Sequence, residues 1–194
     1  MESFRFNHNV AYALLFSPVN NPGKIKQRII NAAKATGYEG NEEREAVNFS
    51  FIDASLITSR LHLETAIHQA IIAESQGLLR TKTIHSEILF ALNPTNNITE
   101  AIRRYGVSDT SKALFVVHIV DSPGPISDLE NKMKQAVDGT MVPFDELAKV
   151  TDWDKIKKYH KLANQVMEKG DAVQARTFID NVAISSVAMK SVMQ

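Results

Sequence analysis

There is no cysteine among the 194 residues. That absence excludes a disulfide framework, cysteine-ligated zinc and a thiol nucleophile together, and it fits an intracellular setting. Nor is one sign of charge in excess: 22 basic residues face 22 acidic ones. A protein that grips duplex nucleic acid through many phosphates carries a basic surplus, so any RNA contact here has to be local. Long apolar runs are missing as well. The longest, such as residues 11–16, fall far short of a bilayer span, and Met1-Glu-Ser-Phe-Arg-Phe-Asn-His8 lacks the charged-then-apolar layout of a signal peptide. With 44% hydrophobic residues, the composition predicts a soluble protein with a buried core that needs no covalent staple.

What is present reads as alternating strands and helices. Residues 10–16 form a β-rich apolar run closed by Ser17-Pro18 and Asn20-Asn21-Pro22-Gly23. Ile25, Ile29, Ala32 and Ala33 then keep helical spacing up to Gly37, and residues 38–45 are polar and read as a surface loop. A second strand is predicted over 47–52, with Asp53 at its exit. Leu63, Ala66, Ile67, Ala70 and Ile71 make one stripe of a helix ending at Gly77, and 87–92 suits a short buried helix. Residues 113–120 give the clearest strand, ended by Pro123-Gly124-Pro125. The last third is predicted helical: Leu129, Met133 and Val137 in one helix, Asp152 capping another, and Ala175, Phe178, Ile179, Val182, Ala183, Ser186 and Val187 lining a terminal one. The expected fold is α/β, a single domain over residues 1–194 with one central mixed sheet covered by several helices and a helical C-terminal third.

Chemistry is harder to find. The six histidines are scattered, and His62 and His68, six apart, miss the spacing of two metal ligands on one helix. No carboxylate pair, nucleophile elbow or glycine-rich phosphate loop is visible, so neither metal, cofactor nor catalytic residue is expected. The segment 80–107 is the most informative. Asn97 can cap a helix with Glu100 reaching back, Ile98, Ala101, Ile102 and Tyr105 share a face, and Gly106 can take the left-handed end conformation. A helix start attracts anions, and the same pattern is also simply a well-capped short helix. Arg80 and Lys82 before the Asn96-Asn97 turn, with Arg103 and Arg104 after it, could form one patch for an RNA end if the segment folds back, or could be solvated surface. Lys155, Lys157, Lys158, Tyr159, His160 and Lys161 mix bases with aromatics, as a stacking platform or a solvated helix face would. On the terminal helix, Ile184, Ala188 and Val192 add a second apolar row, either core or a docking face.

Taken in order, several fragments resemble one family. They are residues 10–16 with the following helix, Phe51-Ile-Asp-Ala-Ser-Leu-Ile57, Ser86-Glu-Ile-Leu-Phe90, Asn97-Ile-Thr-Glu-Ala101, Val137-Asp-Gly-Thr140, Lys157-Lys-Tyr-His-Lys-Leu162 and Phe178-Ile-Asp-Asn-Val182. The sequence is similar to the PRPK-binding (TPRKB-like) proteins, accessory subunits of the KEOPS (EKC) complex. It departs from them in Asn93, where serine is common, and in residues 38–45, which look like an insertion. The resemblance implies a non-catalytic subunit that docks on a small atypical kinase and helps recruit transfer RNA by its 3′ end for threonylcarbamoyladenosine formation at position 37. It also implies a place in the nucleus and cytoplasm, and a telomere role in some lineages. A free-standing enzyme or sensor binding a small anion at the Asn97 helix start is the competing reading, which a large apolar pocket near residues 93–97 would favour.

Overall fold

The computed structural model describes residues 1–121, 126–162 and 172–192. Their packing divides the chain into two compact units, Met1–Asp53 with Gly106–Phe144, and Ala54–Tyr105 with Asp145–Gln194. The expected turn at Pro123-Gly124-Pro125 lies outside the described residues.

The first unit holds the sheet. Its strands are β1 (Glu2–Arg5), β2 (Val10–Val19), β3 (Ser50–Asp53), β4 (Leu114–Val120) and β5 (Gly139–Val142). They lie in the order β1-β2-β4-β3, with β5 also paired to β2. Among the described residues the expected mixture of strand directions is not found: every pairing is antiparallel. A strand–helix–strand sequence invites parallel neighbours, but here β4 enters between β2 and β3 and runs against both, through Leu14↔Val116 and Phe51↔Val116. Central β2 and β4 are apolar almost throughout because both of their faces are buried. On one face Tyr12, Leu14, Phe16, Phe51, Leu114 and Val116 pack against Ile25 of α1 (Pro22–Lys34) and Met133 and Ala136 of α6 (Ile126–Ala136).

Residues 38–45 are not a loop but the body of α2 (Gly37–Ala46), a correction with a clear cause. Of its residues only Gly40 is buried, so no apolar stripe advertises it. Polar contacts hold it instead. Arg28 of α1 pairs with Glu43, and the Arg44 guanidinium donates to the carbonyls of Ala32 and Ala35 at 3.1 and 2.7 Å, satisfying the open C-terminal end of α1. Gly37, expected to stop the first helix, takes φ +75° just past its end, where α2 begins. The second strand consequently starts later than predicted, at Ser50. The short strands β1 and β5 were not predicted; four residues each carry too little pattern.

The second unit is helical: α3 (Arg60–Ser75), α4 (Ile84–Leu92), α5 (Ile98–Tyr105), α7 (Leu147–Val150), α8 (Trp153–Tyr159) and α9 (Ala172–Ala188). All five residues of the α3 stripe are buried. Gly77 ends that helix with φ +66°, and Leu78 N–H bonds to Ala73 O at 2.8 Å. Asp152 caps α8 as expected, accepting from Lys155 N–H at 3.0 Å. On α9 the inward row is Ile179, Ala183 and Val187, while Phe178, predicted to line it, is 42% exposed.

One glycine in the sheet is a steric requirement. A Cβ on Gly139 would lie 2.7 Å from the Pro18 carbonyl oxygen, a backbone atom that cannot step aside. We expect Gly139→Ala to lose about 1–3 kcal/mol in urea unfolding, the cost typical of overpacking. An unchanged unfolding midpoint would show that β5 does not approach β2 this closely.

Candidate functional site around the Asn93 turn

The turn between α4 and α5 is built from buried polar groups. Asn93, the residue that caps α4, is fully buried. Its side-chain amide donates to Thr95 O at 3.1 Å and Thr95 Oγ1 at 2.8 Å, and its Oδ1 accepts from Arg104 at 3.4 Å. Asn97 caps α5 as predicted, its Oδ1 accepting from Glu100 N–H at 2.9 Å. Glu100 does not complete the capping box. Its carboxylate accepts instead from Thr95 Oγ1, with Asn93 Nδ2 at 3.4 Å, and pairs with Arg104 at 2.7 Å. The hydrogen bond from Thr95 is the main reason its pKa lies below the usual carboxylate range. With a carboxylate folded over the helix start, an added anion meets like charge there. Gly106, expected in the left-handed conformation, instead forms a bridge to Ile52 within the sheet unit.

Arg104 is held in place rather than offered to solvent. Besides Glu100, its guanidinium lies 4.3 Å from the centre of the Tyr159 ring. That contact also decides the reading of the basic stretch at 155–161. Tyr159 turns toward α5, Ile156 is buried, and Lys157 pairs with Asp154 at 2.6 Å.

A lysine completes the turn. The Lys190 ammonium, in a residue only 8% exposed, donates to the carbonyls of Phe90 and Asn93 and, at 3.0 Å, to Thr95. It also sits 3.9 Å from the centre of the Phe90 ring. Burial lowers its pKa to about 8, with Glu87 opposing the shift, so the ammonium still predominates at neutral pH. Sequence reasoning missed Lys190 because a lone lysine at the end of an apolar helix reads as a solvated terminus.

The remaining predicted residues can now be placed. Arg80, Lys82, Asn96, Asn97 and Arg103 are exposed and Arg104 half-buried. Arg80 and Thr81 donate their backbone N–H groups to buried Glu87 within α4, whereas Arg104 reaches Asn93, the residue that closes that helix. These two anchor points lie roughly 9 Å apart along the helix axis. Next to Arg80 lies a cleft of about 430 Å3, lined by Ile72, Leu78, Glu87, Phe90 and Lys190 among others. None of residues 93–97 lines it. On α9, Ile184 is half-buried and Ala188 exposed. The helix ends at Ala188, so Val192, 70% exposed, stands on the following turn rather than in a continuous helical row.

Among the described residues, no three His, Asp or Glu side chains gather where a metal ion could sit, and no helix is long and apolar enough to cross a membrane.

The family model of "Kinase binding protein CGI-121" matches residues 16–191. The chain belongs to that family. Similar proteins include an EKC/KEOPS complex subunit CGI121 of Cryptococcus neoformans, 30% identical over 92% of each chain. The corresponding Neurospora crassa subunit is 34% identical over 95% of this chain and 93% of its own. The EKC/KEOPS complex subunit TPRKB of Danio rerio is 30% identical over 92% of this chain and 95% of its own.

Two histidines, His62 fully buried and His160 half-buried, tie stability to pH. Burial, and then the neighbouring His160, lowers the pKa of His62 to about 3; burial, and then Arg104, lowers that of His160 to about 4. His62 Nδ1 accepts from Thr58 N–H at 3.3 Å, which assigns the neutral ring's proton to Nε2. The unfolded chain binds a proton near pH 6.5 while the folded one resists, so stability is complete above about pH 6.5 and falls as pH drops toward 3. We expect His62 alone to remove about 3 kcal/mol by pH 4 in denaturant titrations. His62→Asn, which keeps an acceptor for Thr58, should flatten that slope; an equally steep loss in the variant would assign it elsewhere.

Proposed function

We propose that this chain is a non-catalytic accessory subunit of an EKC/KEOPS complex, one that docks on a small atypical kinase and helps present transfer RNA for threonylcarbamoyladenosine formation at position 37. In this reading it works in the nucleus and cytoplasm, with a telomere role where the complex has one. The observation that carries the reading is the exposed apolar end of α9. While Ile179, Ala183 and Val187 are buried, Ala188, Met189 and Val192 face solvent, the last two at 50% and 70% exposure. Apolar groups exposed where a packed helix ends and turns suit a partner surface.

The kinase prediction follows from that division. Ala188→Glu and Val192→Glu should fold normally by circular dichroism yet weaken kinase co-purification by at least about 30-fold, as loss of a central interface anchor does. Val187→Glu puts a charge in the core and should unfold the second unit. If both exposed variants keep full kinase affinity, another face carries the contact.

For RNA, we place the 3′ end at Arg80 and Lys82, beside the cleft. Arg80 is exposed at its rim, and Phe90 and Leu78 in its mixed polar and apolar lining offer surfaces for an unpaired base. Two phosphate contacts on single-stranded RNA predict a shallow salt dependence, a slope of about −1.4 in log K against log salt. Arg80→Glu/Lys82→Glu should lower binding of intact transfer RNA to the level of transfer RNA trimmed of its unpaired 3′ nucleotides, whose own binding stays unchanged. Equal loss for both RNAs would move the end site elsewhere.

A further inference from the structure

Lys190 joins features that the sequence keeps far apart. It stands two residues beyond the end of α9, between Met189 and Val192 of the exposed apolar group, and Gln69 adds a second tie there by donating to Ala188 O at 3.3 Å. Its ammonium grips three carbonyls of the segment that closes α4 and leads to the exposed Asn96-Asn97 turn. The same side chain lines the cleft whose rim holds Arg80. An ammonium out of water needs every N–H occupied, and all three are used here.

We propose that Lys190 is a positioning residue that couples the two binding surfaces: engagement of its ammonium with residues 90–95 fixes both the apolar C-terminal turn and the wall of the cleft. The proposal rests on the two-surface reading above. A partner that presses on residues 188–192 holds the contact closed, and a closed contact presents the cleft to RNA already formed. Linkage then requires that each ligand raise the affinity of the other by the same factor.

The test is a binding cycle. The affinity of fluorescently labelled transfer RNA is measured by anisotropy for the free protein and for the protein saturated with the kinase subunit, in wild type, Lys190→Met and Phe90→Leu. Methionine keeps length and apolar bulk but removes the donors, and leucine removes only the ring beneath the ammonium. In the wild type we expect the kinase to tighten RNA binding by at least about five-fold, with the reciprocal gain in kinase affinity at saturating RNA. RNA contacts made by the kinase itself contribute equally in every variant, so the difference between variants isolates Lys190. Both side chains line the cleft, so the free variants bind RNA more weakly and the decisive reading is the ratio of affinities with and without kinase: Lys190→Met should lose most of that mutual gain, and Phe90→Leu should lose part of it. Should Lys190→Met fail to fold, Phe90→Leu alone decides, an undiminished gain counting against the proposal. Coupling equal to wild type in both variants, or none in the wild type, overturns it. Failure of the wild type to bind either partner alone would sink the two-surface reading, and this proposal with it.

Discussion

The second unit depends on how a buried positive charge is satisfied. A lysine removed from water is costly unless acceptors replace its hydration, and the acceptors that do so for Lys190 are the backbone carbonyls of Phe90, Asn93 and Thr95, at and just past the end of α4. The fully buried Asn93 extends the arrangement sideways by fixing Thr95 and Arg104, and Arg104 adds Glu100 and the face of Tyr159. The ends of α4, α5, α8 and α9 are therefore held by one set of polar contacts rather than by apolar packing alone. Breaking any member strands the others, which makes such networks geometrically exacting.

The sheet unit is organised by a different constraint. With β4 between β2 and β3, each central strand is paired on both edges and buried on both faces, and such strands tolerate little but apolar side chains. Buried Asp53 is matched by Ser111, which donates to it at 2.8 Å. His118 bonds to Asn48 O at 2.9 Å, and its ring meets Phe49 edge-on with centroids 5.3 Å apart. Burial lowers its pKa, so it serves the sheet as a neutral ring. The exposed basic and apolar residues on which the proposed function rests belong to the helical unit.

Local pattern carried much of this into the sequence. The strands β2 and β4, the stripe on α3, the end at Gly77, and the caps Asn97 and Asp152 were all legible, because each depends on a period or on a residue with a specific local bond. The family was legible too, from the order of short motifs along nearly the whole chain. Helix α2 was not, since its stabilisation is Arg28–Glu43 and Arg44 on the carbonyls of α1, contacts between side chains that no periodicity encodes. For the same reason the partner of Glu100 was misjudged: Thr95 and Arg104 compete for its carboxylate, and only their placement decides which contacts form.

What the sequence by itself determined was therefore element type, the apolar faces and the absence of cysteine chemistry, all set by residues within about a turn of one another. Tertiary structure alone decided that the strands pair antiparallel throughout. It decided that Arg80 is tied to Glu87 and Arg104 to Asn93, and that Phe178 faces outward while Lys190 turns inward. These outcomes depend on which distant groups meet. A lysine at the end of a helix looks the same in sequence whether it faces water or three carbonyls about a hundred residues away in the chain, and the cost of burying its charge is offset only in the second case.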